Sequence, residues 1–412
     1  LNFEEKNVLI TGVSGFVGSY LASALLDKGA HVYGMVRRRA DGTVPKNVRQ
    51  RDIDQSIIYV EAGLEDLTGI AQAISISEPD YIFHLAAQSF VPRSFSHPLE
   101  TAQINSIGTN NLLEAVRMKD ADPVLVFAGT SEEYGLVISS DEQYSSLMKK
   151  YGVIYPKPSS IPELPITEEN PLRPMSPYAV SKVYGDFLVR NYFYTYGIKG
   201  MVSRAFNHEG AGRGIQFVTS VITNQVCQLM SGERDHISIG NVNAFRDWSH
   251  VDDIIDGYQY IAKNGRPGEV YNQGSQRTTS VLSYLLYSLQ ACGHEITEIG
   301  TIKNDKCVKD PLIKNNQQVF GTRFDKSEID QMMLEGEIEF GLSDEGIIVK
   351  TKNADIPVKF DQERFRPSDV PILFSDIGKI SSLGYQVRYH IRDIVQEQIK
   401  FYSNPENRCS IH

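Results

Sequence analysis

Cysteine is scarce: four residues in 412, at positions 227, 292, 307 and 409, with no C-x-x-C pair. That spacing indicates neither a thiolate zinc site nor a disulfide framework. Tryptophan occurs once, as Trp248, and packing accounts for it. No apolar stretch approaches the ~20 residues that a membrane-crossing helix requires. Residues 1–10 are too charged and too short a run for a signal peptide. Basic charge is not in excess either, since 41 Lys and Arg against 51 Asp and Glu give a net −10. Such a balance argues against an electrostatic grip on nucleic acid or an anionic membrane. Anionic small molecules stay admissible, because a local basic pocket can sit inside an acidic protein. The nine histidines show no metal-ligand spacing, and His84, inside the apolar run YIFHL, reads as a core histidine. No G-x-S-x-G elbow marks a serine hydrolase. With 41% hydrophobic and 22% charged residues, the composition is that of a folded protein. A reduced, cytoplasmic protein without a metal site is expected.

What the chain does contain is alternation. Short apolar runs at 7–11 (NVLIT), 31–36 (HVYGMV), 57–61, 81–85 (YIFHL) and 123–128 (PVLVFA) are separated by helical stretches such as 16–28. Strands buried on both faces read as continuous apolar runs, and alternation with helices implies parallel pairing through right-handed crossovers. The expected fold is therefore α/β, a Rossmann-type doubly wound parallel sheet. Residues 136–175 break the rhythm with six prolines and predict an excursion over the surface. Residues 176–196 predict a long helix with Pro177 in its first turn, and 218–230 a second helix. A further irregular segment spans 298–360. Within it, 338–340 and 347–350, around Asp344-Glu345-Gly346, predict a β-hairpin. The expected division is a nucleotide-binding domain over 1–205 and a smaller, mainly substrate-binding domain over 206–412. Some later segments would return to the first body, and a cleft would lie between the two.

Between the first strand and its helix, Thr11-Gly12-Val13-Ser14-Gly15-Phe16-Val17-Gly18 spaces three glycines at intervals of three. Missing side chains let a backbone approach a pyrophosphate, and the helix that follows offers free N–H groups to the anion. After the second strand, where a NAD site would present an acid to the ribose, stand Arg37, Arg38 and Arg39. Cations there suit a 2′-phosphate, so NADP is expected over NAD. A solvated basic loop is the bland reading of the same residues.

Tyr178 and Lys182 are four apart and share a helix face. An ammonium beside a phenol lowers its pKa and lets it act as a base, although Tyr-x-x-x-Lys also arises in ordinary aromatic packing. At the end of the 123–128 run come Thr130, Ser131 and Glu132. Ligands of open parallel sheets bind outside the carboxyl ends of strands, so these polar groups would meet Tyr178 there. A Thr-Ser pair that merely caps a turn is the alternative.

Taken in order, the glycine motif, Leu85-Ala86-Ala87-Gln88-Ser89, Thr130-Ser131-Glu132 and Ser176-Pro177-Tyr178-Ala179-Val180-Ser181-Lys182 form a set. It continues with Phe206-Asn207-His208-Glu209, Arg246-Asp247-Trp248-Ser249-His250 and Phe365-Arg366-Pro367. The set resembles the extended short-chain dehydrogenase/reductase family in its nucleotide-sugar branch, and within that branch the GDP-mannose 4,6-dehydratases. The resemblance covers nearly the whole chain apart from the two irregular segments.

It implies a lyase that oxidises C4 of a sugar, eliminates water across C5 and C6, and returns the hydride to C6. Tyr178 would be the base at the 4-hydroxyl with Thr130 beside it. Glu132 would take the C5 proton, Ser131 or Glu132 would assist departure of the C6 hydroxyl, and Lys182 would hold the ribose. Cofactor contacts would come from Gly12, Gly15, Phe16, Val17, Gly18, Arg37, Arg38, Leu64, Leu85, Ala86, Ala87, Ser89, Tyr178, Lys182, His208 and Arg213. The nucleotide sugar would face Ser89, Glu132, Asn207, Arg246 and Arg366. A homodimer or homotetramer is implied, built on the helices around 101–117 and 176–196.

Three departures bear on the substrate. Gly63-Leu64 stands where the family has Asp-Leu at the adenine, and Ser220-Val221 replaces basic residues near the substrate. The segments 136–175 and 298–360 are additions that could reshape the sugar pocket, touch the nucleotide or serve an oligomer contact. A nucleotide-sugar 4-epimerase needs no carboxylate at Glu132 and usually has a small residue there. UDP-glucuronate decarboxylases do share Thr-Ser-Glu, and a non-catalytic nucleotide binder would need none of the set.

Overall fold

Seven short apolar segments build the centre of the molecule. They are β1 (Asn7–Thr11), β2 (His31–Val36), β3 (Ile58–Glu61), β4 (Tyr81–His84), β5 (Val124–Ala128), β6 (Lys199–Ala205) and β7 (Val270–Gln273). In this computed structural model, which describes residues 1–38, 43–366 and 369–408, they form one sheet in the order β7-β6-β5-β4-β1-β2-β3. Every neighbouring pair is parallel. Arg39, Pro367 and Cys409 lie outside the described residues.

Alternation of side chains sorts the sheet's two faces. Val8, Ile10, Phe83, Val126 and Met201 point to one side, where Leu21 and Leu25 of the helix Phe16–Leu26 and Ile254, Tyr258 and Ile261 of Val251–Asn264 meet them. Leu9, Ile82, Leu125, Phe127 and Val202 point to the other, against Ile70, Ile74, Leu112, Val116 and Val189. Each such apolar side chain contributes about 1.5–3 kcal/mol on burial, and a strand covered on both faces has no polar side to show, which is why these runs are continuous. The doubly wound parallel sheet expected from the sequence is present. Its strand order reverses between β1 and β4, and the crevice at their carboxyl ends is where such sheets bind ligands.

The excursion over 136–175 is not the surface wrapping expected. It contains a helix, Asp141–Tyr151, capped by Ser140. Val137, Leu164 and Ile166 are buried in an apolar cluster with Tyr134, Phe206, Phe245 and Phe374. Prolines prevent a ladder here, but apolar residues between them still pack. A buried ion pair, Arg173 to Glu163, closes the excursion on itself.

The segment 298–360 also departs from expectation. Ile296–Thr301 pairs with Cys307–Lys309 and with Gly346–Thr351. Gly346–Thr351 pairs in turn with Asp355–Phe360, which lies parallel to Ile237–Ile239. The result is a second, five-stranded sheet. Its hairpin joins 346–351 to 355–360, not 338–340 to 347–350. Phe340 is spoken for elsewhere, because its backbone exchanges hydrogen bonds with the Asn243 side chain. Ile347, Val349, Ile356 and Val358 share a core with residues of the helices Val218–Met230, Val281–Ala291 and Ile391–Ser403. Among the described residues, no helix is long and apolar enough to cross a membrane.

Candidate active site

The carboxyl ends of β1, β4 and β5 open onto a cavity of about 1010 Å³. At β1 the chain turns sharply: Gly12 has φ +77°, and a Cβ there would lie 2.8 Å from the Ala86 amide nitrogen. Only glycine lets the turn leave β1 so close to the end of β4. Gly15 caps the helix Phe16–Leu26 without any side-chain hydrogen bond, so the first amides of the helix are free for an anion. Gly12, Gly15, Phe16, Val17, Gly18, Leu64, Leu85, Ala86, Ala87 and Ser89 all line this end of the cavity. A glycine cradle against an uncapped helix start fits the pyrophosphate of a dinucleotide.

Arg37 lines the same end. Arg38 is exposed and not part of the lining. Lys46 and Asn47 line the cavity beside it, and Asn47 Nδ2 donates to the Ser14 carbonyl at 3.1 Å. These two escaped sequence reasoning because they open a five-residue helix, Lys46–Gln50, that no motif marks.

The central groups come from the end of β5 and from the helix Pro177–Tyr196. Ser176 caps that helix by accepting from the Ala179 N–H at 3.0 Å, and Pro177 occupies its first turn. At Gly185 a Cβ would lie 2.5 Å from Phe127 Cζ. The missing side chain lets the helix rest on β5 and carries Tyr178 and Lys182 over the strand end. Thr130, Ser131 and Glu132 follow β5 in a short 3-10 turn, where Thr130 Oγ1 accepts from the Glu132 N–H at 3.3 Å. All five side chains line the cavity.

The electrostatics differ from the simple Tyr-Lys expectation. Lys182 Nζ donates to the Ala128 carbonyl at 2.7 Å and sits 4.8 Å from the Phe127 ring centre. Burial pulls its pKa down to about 8, and the negative charge of Glu133 opposes that fall. Tyr178 is pushed above its ordinary value, first by burial and then by the Glu132 charge, while a hydrogen bond with Thr130 opposes the rise. The Lys182 ammonium is directed to a backbone carbonyl.

On the far wall, His208 Nδ1 is 2.8 Å from the Phe206 carbonyl, which makes Nδ1 the protonated nitrogen. Burial, then Arg213, hold its pKa down at about 3, so the ring is neutral. Arg213 stacks on Phe217 at 3.7 Å and pairs with Glu209 at 3.5 Å. His208, Arg213, Asn207 and Arg366 all line the cavity, and the buried Asn207 Oδ1 has no hydrogen-bond partner.

Arg246 does not join them. It is buried, with its guanidinium donating to the Phe245 and Val370 carbonyls and to Asp369. Two of its partners, Asp369 and Val370, follow shortly after Arg366, and Arg246 lies outside the cavity lining. Ser220 and Val221 are buried off the cavity; Ser220 Oγ donates to the Arg213 carbonyl at 3.2 Å. Sequence reasoning also missed Arg93 and Phe217 in the lining. His84 is a core residue as expected, bridging Thr11 and Thr109 at 2.7 and 3.0 Å. Trp248 packs on Tyr284 and donates to the Thr279 carbonyl.

Residues 8–274 match the model of the NAD dependent epimerase/dehydratase family. The chain belongs to this family. Among its relatives, the GDP-mannose 4,6-dehydratase of Yersinia enterocolitica is 30% identical over 402 residues, covering 96% of this chain and 93% of the relative. The fold is that of RMD from Pseudomonas aeruginosa complexed with NADPH, with a TM-score of 0.64 at 20% identity over 97% of this chain and 99% of the other. It is equally that of the dTDP-glucose 4,6-dehydratase of Bacillus anthracis in complex with NAD, with a TM-score of 0.66 at 20% identity over 98% of each chain. For this family member, the glycine turn and the Tyr178–Lys182 helix therefore sit in a fold that holds pyridine nucleotides in other proteins.

Proposed function

We propose that the chain is an NADP-dependent nucleotide-sugar 4,6-dehydratase that converts GDP-mannose, or a related GDP-sugar, to its 4-keto-6-deoxy form. One observation carries the reading: Thr130, Glu132, Tyr178 and Lys182 surround a single cavity whose other end is a glycine cradle with Arg37. A carboxylate at that spot has work to do at C5, which a plain 4-epimerase does not need. Relatives named GDP-mannose 4,6-dehydratase that align over nearly the whole chain support the substrate class.

In this reading residues 1–205 serve the cofactor and 206–412 mainly the nucleotide sugar. NADP would be held by the cradle, by Arg37 and Lys46 at the 2′-phosphate, and by Lys182 at the ribose. When bound, the nicotinamide supplies a reversible hydride acceptor within one turnover. Tyr178, hydrogen-bonded to Thr130, removes the proton of the sugar's 4-hydroxyl in its phenolate form, which the positive charge of Lys182 one helix turn away favours, as C4 is oxidised. The resulting 4-keto group acidifies the C5 proton, which Glu132 removes. The C6 hydroxyl leaves as water with a proton from the same carboxyl or from Ser131. Neutral His208 adds no charge to the wall, while Arg213 and Arg366 offer charge-assisted bonds to the diphosphate. Exposed Leu99, Phe187 and Tyr194 on the helices Pro98–Ala102 and Pro177–Tyr196 suit self-association of a cytoplasmic enzyme.

The test is incubation of the purified protein with GDP-, UDP-, CDP- and dTDP-sugars, read by mass spectrometry. Loss of one water from a GDP-sugar is the expected result. Loss of carbon dioxide from UDP-glucuronate would replace the reading with a decarboxylase, and no change in any sugar would overturn it.

A further inference from the structure

Directly behind the reaction turn lies a carboxyl group that the chemistry above does not use. Glu133 is fully buried, and its Oε1 accepts the backbone N–H of Thr130 at 2.8 Å. That bond closes a reciprocal cap around the turn: Thr130 bonds forward to the turn and Glu133 bonds back to it. Gly129 makes room for it, since a Cβ there would lie 2.6 Å from Glu133 Oε1.

The other oxygen, Oε2, has no hydrogen-bond partner and lies 3.3 Å from Arg204 Nε. Arg204, on β6, donates through the same Nε to Asp186 at 2.9 Å and through Nη1 to the Tyr134 hydroxyl at 3.1 Å. Asp186, on the Tyr178–Lys182 helix, also accepts from Arg190 at 2.7 Å. Glu133 thus ties the reaction turn to the two elements that flank it, β6 and the catalytic helix.

We propose that Glu133 is a positioning residue, which holds Thr130 by its backbone amide and anchors the reaction turn to Arg204 of β6. The proposal rests on the dehydratase reading for its kinetic consequence, but not for its geometry. A group so placed lies outside the cavity lining and acts through Thr130. Burial and the neighbouring Asp186 raise the proton affinity of Glu133 well above the carboxylate range, and Arg204 opposes them. Glutamine therefore imitates a form that Glu133 can itself adopt, and it keeps an oxygen for the Thr130 amide. Leucine offers neither oxygen nor charge.

The decisive comparison is wild type, Glu133→Gln and Glu133→Leu, each as the full chain. Hydrogen exchange at the Thr130 amide is read first and needs no substrate. It should stay within a few-fold of wild type in E133Q and rise at least about tenfold in E133L, the loss of one buried hydrogen bond. Steady-state kinetics on the GDP-sugar that wild type dehydrates come second. E133L should lose kcat by roughly 10- to 100-fold, the range expected when a reacting group is misplaced by about 1 Å. KM should change less than threefold, and E133Q should recover most of kcat. Unchanged Thr130 exchange in E133L would overturn the proposal. So would equal kcat in all three proteins, or a loss shared equally by kcat and KM. Failure of wild type to dehydrate any sugar would strike the dehydratase reading alone, and the exchange result would still decide the role of Glu133.

Discussion

Arg173 and Glu163 offer the sharpest test of how the 136–175 excursion is held. Their side chains are 4% and 3% exposed. The guanidinium of Arg173 donates to Glu163 at 2.6 and 2.8 Å, to the Leu136 carbonyl at 2.6 Å and to the Pro156 carbonyl at 2.5 Å. Glu163 Oε2 also accepts the Ile138 N–H at 2.8 Å. Arg173→Met removes four donors and leaves a buried carboxylate with one. Breaking one side of a buried ion pair costs about 3–5 kcal/mol, whereas replacing both partners by apolar groups is often close to neutral. A cost of 3 kcal/mol or more corresponds to roughly a 10²- to 10³-fold change in an opening equilibrium.

The loss should appear locally, because both partners lie within the excursion. Native-state hydrogen exchange at Ile138 and Glu163, whose amides bond across the loop, is the assay. Exchange at both should accelerate by about that factor in R173M, while amides of β1 and β4 stay near wild type. In the double variant R173M/E163L, which also removes the acceptor of the Ile138 amide, most of the protection should return at the residue-163 amide, whose bond to the Ile138 carbonyl is backbone to backbone. The Arg173 backbone also bridges to Gly135, two residues beyond the reaction turn, so kcat should fall as the loop loosens. Exchange at Ile138 within twofold of wild type in R173M would refute the reasoning, as would a double variant no better protected than the single at the residue-163 amide.

Other consequences are as direct. Tyr178→Phe should lower turnover by about 10²- to 10⁴-fold, the contribution of a general base, while cofactor affinity by fluorescence titration changes little; unchanged turnover would remove Tyr178 as the base. Arg37→Ala should weaken NADP at least about tenfold more than NAD, because it removes one charge-assisted partner of the 2′-phosphate; equal losses would reject that assignment. His84 and His208, both with folded-state pKa values near 3, are neutral in either state above pH 6.5 and there cost nothing. Between pH 6.5 and 3 the unfolded chain binds protons that the folded chain refuses, so stability falls as pH falls. The linkage amounts to about 2 kcal/mol per histidine by pH 5. NMR should find both rings uncharged at pH 5, and a protonated ring there would contradict the assignment.

The central sheet was legible because its strands are buried on both faces and therefore written as uninterrupted apolar runs; five of the seven were read within a residue or so of their ends. The glycine cradle and the Thr130, Tyr178 and Lys182 groups were legible for a similar reason, since each needs a particular residue at a particular offset. The second sheet was not. Its strands are short, its neighbours in space are far apart in sequence, as with 355–360 beside 237–239, and Phe340 mimics a strand residue while bonding to Asn243. The partners of Arg246 were hidden for a different reason. Its motif is intact, but its guanidinium is taken by Asp369 and two carbonyls, a partnership that sequence order does not reveal. The Tyr178–Lys182 spacing was legible and the partner of Lys182 was not, because the Ala128 carbonyl that receives it is a backbone group.

The central claim is that hydride leaves C4 and returns to C6 of the same sugar in one cavity. GDP-mannose deuterated at C4, incubated with the enzyme and its bound cofactor, measures this directly. The account predicts a product lighter by one water that carries the deuterium on C6, without consumption of added cofactor. Deuterium lost to solvent or left at C4, or a product formed only with stoichiometric external reductant, would contradict it.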